Sequence, residues 1–389
     1  MTGYLGFAGY MREYAKGYIL FFALIKCASM DIETKMAMIK SFSAEIVTDE
    51  QLRALFETNS HPIAYDGFEP SGLAGIHFGL LRAKNIKKML DAGIRFKLYL
   101  ADYFAFINNK LDGDMDHIRN TGKYFIEVWK AAGVDIGKVE IVWNNDLMHE
   151  FSYWERYLKV GRAVSLDRVK RAVTIMGRKE GEAISSAQIF YPIMQITDIF
   201  QMDIDICQLG IDQRKANILA REVAQKYGWK VPVVVSHPLL LGLKGAPPDL
   251  KTQDEAVLME YKMSKSNPSS SIFVHDSLDT IKDKIKGAYC PERVVRGNPM
   301  FDYIDRIIIE SAQDPITIQR PEKFGGDIEA ADYGELVRIY EEGKVHPVDI
   351  KNFVAVELEK KVKPIREHFE SNSAARKLYE EVKSYAITR

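Results

Sequence analysis

The chain predicts an α/β fold, a parallel sheet covered by helices, followed by a smaller helical region. Three observations lead there. A strand, a glycine turn, a helix and a second strand succeed one another between Pro62 and Phe106. A further strand, ending in a turn and a helix, stands at Asp205–Lys215. From Asp279 onward the pattern turns helical. A strand–helix–strand unit implies parallel strands, with ligands at their carboxyl ends.

The 389 residues leave room for two domains and a substantial core. Apolar content of 47% and charged content of 28% describe an ordinary globular protein. The formal net charge of -1 provides no global basic field, so a nucleic-acid partner would have to be met by local patches. Cys27, Cys207 and Cys290 are odd in number, scattered and without metal-ligand spacing. They argue against a disulfide framework and fit a reducing compartment.

Met1–Ser29 differs in composition from the rest of the chain, being rich in Gly, Tyr and Phe. Its apolar run, Tyr18–Ile25, is too short to span a bilayer. Arg12 and Lys16 precede that run as in a signal peptide, but no clear small-x-small cleavage site comes after it. The expectation is that Met30 is the true start and that residues 1–29 are an atypical extension. From Met30 an amphipathic helix is expected, and Thr48-Asp49-Glu50 marks the start of another.

Pro62–Phe68 reads as a buried strand, broken by Glu69-Pro70-Ser71-Gly72. Ile76-His77-Phe78-Gly79-Leu80 opens a helix with Leu81, Ile86, Met89 and Leu90 at helical spacing, and Gly93 ends it. Arg95–Phe106 reads as the second strand. His77 and Gly79 fall at a helix N-terminus, where N–H groups and the helix dipole favour a phosphate. A lone His there is more often a cap or a packed side chain.

Ser165–Lys179, carrying Arg168, Lys170, Arg171, Arg178 and Lys179, reads as a basic amphipathic helix. A solvated face is the commoner explanation; phosphate contact is the other. Tyr191, Gln195 and Asp198 are spaced four and three apart and share one helix face. A polar stripe on so apolar a helix must face water or line a pocket. Asp212 and Gln213 stand at the carboxyl end of the strand that precedes them, the place for a ligand.

Lys262-Met263-Ser264-Lys265-Ser266 puts two ammonium groups and two hydroxyls within five residues. Such a loop can close over a polyphosphate, although a Lys/Ser run is usually just solvated. The preceding Ala246–Tyr261, rich in Pro, Asp and Glu, reads as an exposed loop. Asp279–Ala288 is a basic helix. Phe324 beside Gly325-Gly326 is a candidate base-stacking platform, and Asp349 a candidate reader of a guanine edge. The alternative is a core Phe and a capping Asp.

Lys262–Ser266 resembles the KMSKS signature of class I aminoacyl-tRNA synthetases, and His77 with Gly79 resembles its partner, His-Ile-Gly-His. There are two departures: Leu80 replaces the final His, and the stretch from Gly72 to His77 is about two residues longer than the family's. GFEPSG at Gly67–Gly72, YPIMQ with Asp198, GIDQRK at Gly210–Lys215 and KMSKS, in this order, resemble the tyrosyl-tRNA synthetases of the archaeal and eukaryotic cytoplasmic branch. The resemblance runs from Met30 to the C-terminus. It implies a Rossmann-like catalytic domain over 30–276 and an α-helical anticodon-binding domain over 277–389. The implied activity is ATP-dependent charging of tRNA(Tyr) with tyrosine through tyrosyl-adenylate.

By the same resemblance, Tyr65 and Asp198 bind the phenol hydroxyl, and Tyr191, Gln195 and Gln213 bind the amino group. Such a site rejects phenylalanine by leaving polar groups unpaired. Gly79, Asp212, Lys262, Ser264, Lys265 and Ser266 bind ATP, with Asp212 on the ribose; the family's Gly-Gly is here Leu209-Gly210. His77, Lys262 and Lys265 stabilise charge at the reacting phosphorus, with no covalent nucleophile. Arg171 and Arg214 read the first acceptor-stem base pair, and Phe324 and Asp349 the first anticodon base. Mg²⁺ comes with ATP, no protein metal site is expected, and a cytoplasmic homodimer without membrane contact is implied. Three alternatives remain: a tryptophanyl-tRNA synthetase, against which the Tyr65–Asp198 pair counts; a nucleotidyltransferase, which needs no helical second domain; and a non-catalytic tRNA-binding paralogue.

Overall fold

The computed structural model describes residues 30–177, 185–249, 260–264 and 268–385. The expectations for residues 1–29, for Arg178 and Lys179, for most of Ala246–Tyr261, and for Lys265 and Ser266 lie outside them. The first two helices among the described residues form where local capping chemistry asks for them. Asp31 accepts from the Thr34 N–H at 2.9 Å and caps Ile32–Lys40. Thr48 accepts from the Gln51 N–H and caps Asp49–Thr58.

Six strands make one sheet: β1 (Glu45–Val47), β2 (Ile63–Phe68), β3 (Arg95–Leu100), β4 (Val139–Trp143), β5 (Ile206–Gly210) and β6 (Val233–His237). Their spatial order is β1-β6-β5-β2-β3-β4. All neighbours are parallel except the edge strand β1, which runs antiparallel to β6. The chain builds outward from β2 through β3 to β4, then returns to β5 on the other side of β2. The strand order reverses between β2 and β5, so a crevice opens at their carboxyl ends, the usual ligand position in such sheets.

Alternate strand residues serve opposite faces. Ala64, Phe68, Phe96, Leu98, Ile206 and Val235 pack on Ile86, Met89, Phe125 and Trp129. Tyr65, Tyr99, Val142, Cys207 and Leu209 pack on Met194, Ile196, Ile199, Leu219 and Val223. The first face also buries Asp66. Arg82 Nη1 donates to both oxygens of its carboxylate, at 2.6 and 2.7 Å, and the guanidinium lies 4.9 Å from the Phe68 ring centre. Burial pushes Asp66 up to about 6 despite that charge.

The region after 277 is helical, apart from the two-stranded hairpin β7 (Ile316–Ile318) and β8 (Ile328–Ala330). It is not packed as a separate body. Ile76, Leu81, Leu240, Met263 and Ile272 share a core with Phe301, Tyr303, Ile304 and Val354. Farther along, Ile365, Phe369, Ala375 and Val382 return to the first face of the sheet.

Two expected elements are shorter than their sequence pattern. The strand expected over Arg95–Phe106 ends at Leu100, and Asp102–Ile107 is a helix. The buried Asp102 carboxylate turns the chain there, accepting from the backbone N–H groups of Tyr103 and Asn145, both at 3.1 Å. The basic helix expected over Ser165–Lys179 ends at Ala172, continues as a 3₁₀ turn to Met176, and stops at Gly177 with φ 80°. Arg168 on it is paired with Glu222.

Removing one partner of a buried ion pair strands the other charge. Arg82→Met keeps the stem over Phe68 but leaves Asp66 without its cation. Urea unfolding should show a loss of about 3–5 kcal/mol, partly recovered in Asp66→Asn/Arg82→Met. A loss under about 1 kcal/mol, the scale of an exposed pair, would mean that Asp66 is effectively solvated.

Candidate active site

The crevice between β2 and β5 collects most of the residues singled out in the sequence. Tyr65 on β2 points to the same face as Tyr99 on β3, their rings edge-on with centres 6.3 Å apart. The helix Ser186–Gln201 lies across that face. Ser185 and Gln188 start it with a reciprocal capping box, which sets where Tyr191, Gln195 and Asp198 fall.

Asp198 is fully buried. One oxygen accepts from the Tyr99 hydroxyl at 2.7 Å and the other from the Tyr153 hydroxyl at 3.0 Å. The Asn144 amide stands at 3.5 Å. Burial pushes Asp198 up to about 7, and the two phenols only partly offset this. Asp198 is thus held by Tyr99 and Tyr153, two phenols the sequence reading did not include. The Tyr65 hydroxyl is buried and makes no hydrogen bond of normal geometry among the described residues. Leaving such a group unpaired costs roughly 1–3 kcal/mol.

Tyr191 does not stand alone as an acceptor. Its hydroxyl donates to Glu69 Oε1 at 2.5 Å, and Glu69 also accepts from the Asn108 amide at 3.2 Å. The Gln195 amide donates to Gln213 Oε1 at 3.3 Å, and Gln213 donates in turn to the Ile175 carbonyl at 3.0 Å. Tyr65, Tyr191, Gln195, Asp198 and Gln213 thus come together around one pocket. Sequence reasoning missed Glu69, Tyr99, Tyr153 and Asn144. Glu69 could have been found, since it directly succeeds β2 at the carboxyl end. Tyr99 reads as an ordinary strand aromatic, and nothing in the sequence ties Tyr153 to Asp198.

Asp212 sits just beyond β5, buried, with Lys262 Nζ 3.0 Å from its carboxylate. Burial alone would raise Asp212, but the Lys262 ammonium and then Arg82 prevail and hold it below the ordinary value. A Cβ on Gly210 would lie 2.4 Å from Asp212 Oδ1, so only glycine lets the carboxylate fold back there. Leu209, at the other half of the expected Gly-Gly, turns into the core. Lys262 is held by its backbone: Leu241 bridges it, Gly242 N–H donates to the Tyr261 carbonyl at 2.8 Å, and Met263 N–H to the Leu240 carbonyl at 2.7 Å. The Ser264 carbonyl accepts from the Ser271 hydroxyl at 2.7 Å.

His77 opens a π-helical turn, His77–Arg82. The Gly79 N–H bonds to the Gly75 carbonyl at 2.9 Å, so it is not among the open N–H groups of a helix start. What its missing side chain admits is Val274, since a Cβ would lie 2.5 Å from Val274 Cγ1. The segment just before His77 and one that follows the Lys262 stretch are joined by backbone pairing. Gly75 bridges Phe273, Ile76 N–H donates to Ile272 at 2.9 Å, and Val274 N–H to Ala74 at 3.0 Å.

Of the four residues assigned to nucleic acid, Arg214 directly follows Gln213 of the pocket, and the other three lie farther off in the chain. Arg171 is exposed in the last turn of its short helix. Arg214 is tied to Glu45 on the edge strand at 2.7 Å. Phe324 is 60% exposed in the β7–β8 loop, with Lys323 Nζ 5.0 Å from its ring centre, so it is not a core Phe. Asp349 lies in the first turn of Pro347–Ser371, 4.0 Å from Arg320. Arg320 also donates to the Gly326 carbonyl at 2.5 Å, which links the Phe324 loop to Asp349. Among the described residues no cluster of three His, Cys, Asp or Glu side chains could hold a metal ion, and no helix is long and apolar enough to cross a membrane.

Residues 57–363 match the family model of class I tRNA synthetases for tryptophan and tyrosine. The chain is 40% identical to tyrosine–tRNA ligase 1, cytoplasmic, of Arabidopsis thaliana, over 93% of this chain and 91% of that one. It is 41% identical to the tyrosine–tRNA ligase of Sulfurisphaera tokodaii, over 93% and 99%. The fold superposes on tyrosyl-tRNA synthetase from Pyrococcus horikoshii, solved with L-tyrosine, with TM-score 0.83, 38% identity and coverage of 90% and 100%. A tryptophanyl-tRNA synthetase from Aeropyrum pernix shares the fold at TM-score 0.63 but only 16% identity.

Asp198 gives the pocket a pH signature. Its ordinary value is 3.8 and its folded value about 7, so the native state keeps a proton that the unfolded chain gives up. That contribution is full below pH 3.8 and is lost as pH rises towards about 7. Asp198→Asn removes it. The variant's stability deficit against the parent, read from urea midpoints, should therefore shrink as pH rises from about 5 to about 7.5. A deficit constant over that window would place Asp198 at its ordinary value.

Proposed function

The chain belongs to the class I tRNA synthetases of the tryptophan and tyrosine group, and we propose from this that it activates tyrosine with ATP and transfers it to the 3′ end of tRNA(Tyr). The observation that carries the reading is near-full-length likeness, at about 40% identity, to tyrosine–tRNA ligases of both archaeal and plant cytoplasmic origin. The tryptophan-type structure shares the fold alone. ATP is the second substrate. Mg²⁺ arriving with it would be held by phosphate oxygens and water and would neutralise phosphate charge.

The pocket chemistry supports tyrosine. A carboxylate oxygen has two acceptor sites, so each Asp198 oxygen keeps one after bonding Tyr99 and Tyr153. The substrate phenol donates to Asp198 and accepts from the unpaired Tyr65 hydroxyl. Tyr191 donates its hydroxyl hydrogen bond to Glu69 and turns its lone pairs to the substrate ammonium. Gln195 and Gln213, oriented by each other and by Ile175, add amide oxygens.

In the first step the tyrosine carboxylate attacks the α-phosphorus of ATP and pyrophosphate leaves. Asp212 takes the ribose, releasing Lys262 from their ion pair to track the phosphates. His77, Lys262 and Lys265 stabilise the charge at phosphorus, with Gly79, Ser264 and Ser266 shaping the ATP site. In the second step the terminal ribose of the tRNA takes the tyrosyl group. Arg171 and Arg214 meet the acceptor stem, and Phe324 and Asp349 the anticodon. The exposed Phe324 ring is the feature that favours this placement. The protein acts as a homodimer in the cytoplasm, where its plant relative is named to be.

Exchange of labelled pyrophosphate into ATP tests the reading. Tyrosine should support exchange, and phenylalanine and tryptophan should not. Lys262→Ala should lower the rate by about 10²–10³-fold. Folded protein without exchange on any of the three would overturn the catalytic reading in favour of a tRNA-binding paralogue.

A further inference from the structure

Gly75 and His77 compete for the same space. A Cβ on Gly75 would lie 2.6 Å from Nδ1 and 2.7 Å from Cε1 of His77. The imidazole therefore folds back over residue 75. Gly75 is not in the left-handed region, so glycine is not required there for backbone conformation. Nor can its backbone easily yield. Gly75 is bridged to Phe273, its carbonyl accepts from the N–H groups of Phe78 and Gly79, and Ile76 is bonded to Ile272. A side chain at 75 could be relieved only by displacing the His77 ring.

We propose that Gly75 is a positioning residue for the reaction: its missing side chain lets His77 carry its imidazole back over the pairing between residues 74–76 and 272–274, next to Ser271, whose hydroxyl bonds the Ser264 carbonyl. The ring then reaches the phosphate site from farther along the chain than the signature spacing places a histidine. The unusual Gly72–His77 spacing and the glycine at 75 become one feature: the later histidine needs an open residue beneath it. Gly79 is a glycine for a different reason, contact with Val274.

The inference rests on the tyrosine-activation reading, and a double-mutant cycle separates the two. The measurements are tyrosine-dependent pyrophosphate exchange, with tyrosine affinity read separately by equilibrium binding. His77→Ala should lower the exchange rate about 10²-fold, the scale of one lost charge-stabilising or proton-handling group. Gly75→Ala should lower it by roughly tenfold or more with tyrosine affinity unchanged, and should cost less than about twofold further once His77 is already alanine. Gly75→His/His77→Ala, with the imidazole moved to the earlier position, should recover roughly tenfold over His77→Ala alone. The proposal is overturned if Gly75→Ala costs the same factor with and without His77, if it costs nothing, or if the moved imidazole gives no gain in protein whose tyrosine affinity matches the parent. A parent without exchange would instead defeat the functional reading.

Discussion

The pairing of β2 with β5 is the seam on which the structure depends. It brings together two stretches some 140 residues apart, with Ala64 beside Ile206 and Tyr65 beside Cys207. The join is reinforced at its start. Asp205 accepts from the Ile63 N–H through its carboxylate at 2.7 Å and donates its own N–H to the Ile63 carbonyl at 2.8 Å. Lys230, 3.0 Å away, balances that charge. Because the chain leaves this seam in opposite directions, no crossover helix fills the space above it. The substrate crevice results from topology before any side chain is considered.

The period of two along β2 then divides the work. Tyr65 faces the helix that carries Tyr191, Gln195 and Asp198, and so lines the pocket they share. Asp66, one residue on, faces the opposite side and binds Arg82 at the end of the turn that His77 begins. One strand thus anchors both halves of the site. Each half contains a buried carboxylate raised above its ordinary value by desolvation, Asp66 to about 6 and Asp198 to about 7. They differ in their partners. Asp66 is held by a cation, a structural arrangement. Asp198 is held by neutral phenols, which leaves it acceptor sites for a further hydroxyl.

The helical region is bound to the chain around Lys262 as well as to the sheet. Leu241, which bridges Lys262, has its N–H taken by Asp302 and its carbonyl by the Tyr303 hydroxyl, both at 2.8 Å. Met263 and Ile272 on either side of the loop lie in the same core as Tyr303 and Ile304. The backbone at Lys262 is therefore coupled to the helical region through Leu241.

Much of this was legible in the chain. The β2 strand, the 186–201 helix with its polar stripe, β5 with Asp212 and Gln213 at its end, and the Lys262–Ser266 loop all carry local signals of period, capping or turn chemistry. Those signals do not depend on what packs against them, so the amino-acid sequence alone determined the elements and the set of polar residues whose chemistry suits a ligand. The partners of those residues were decided by the tertiary structure. Asp198 pairs with Tyr99 and Tyr153, Tyr191 with Glu69, and Asp212 with Lys262. Gly79 serves Val274, Gly75 serves His77, and β3 stops at Leu100 because Asp102 caps a turn that also needs Asn145. Each of these depends on the distance between atoms that the local pattern does not relate, and such distances exist only once the sheet has closed.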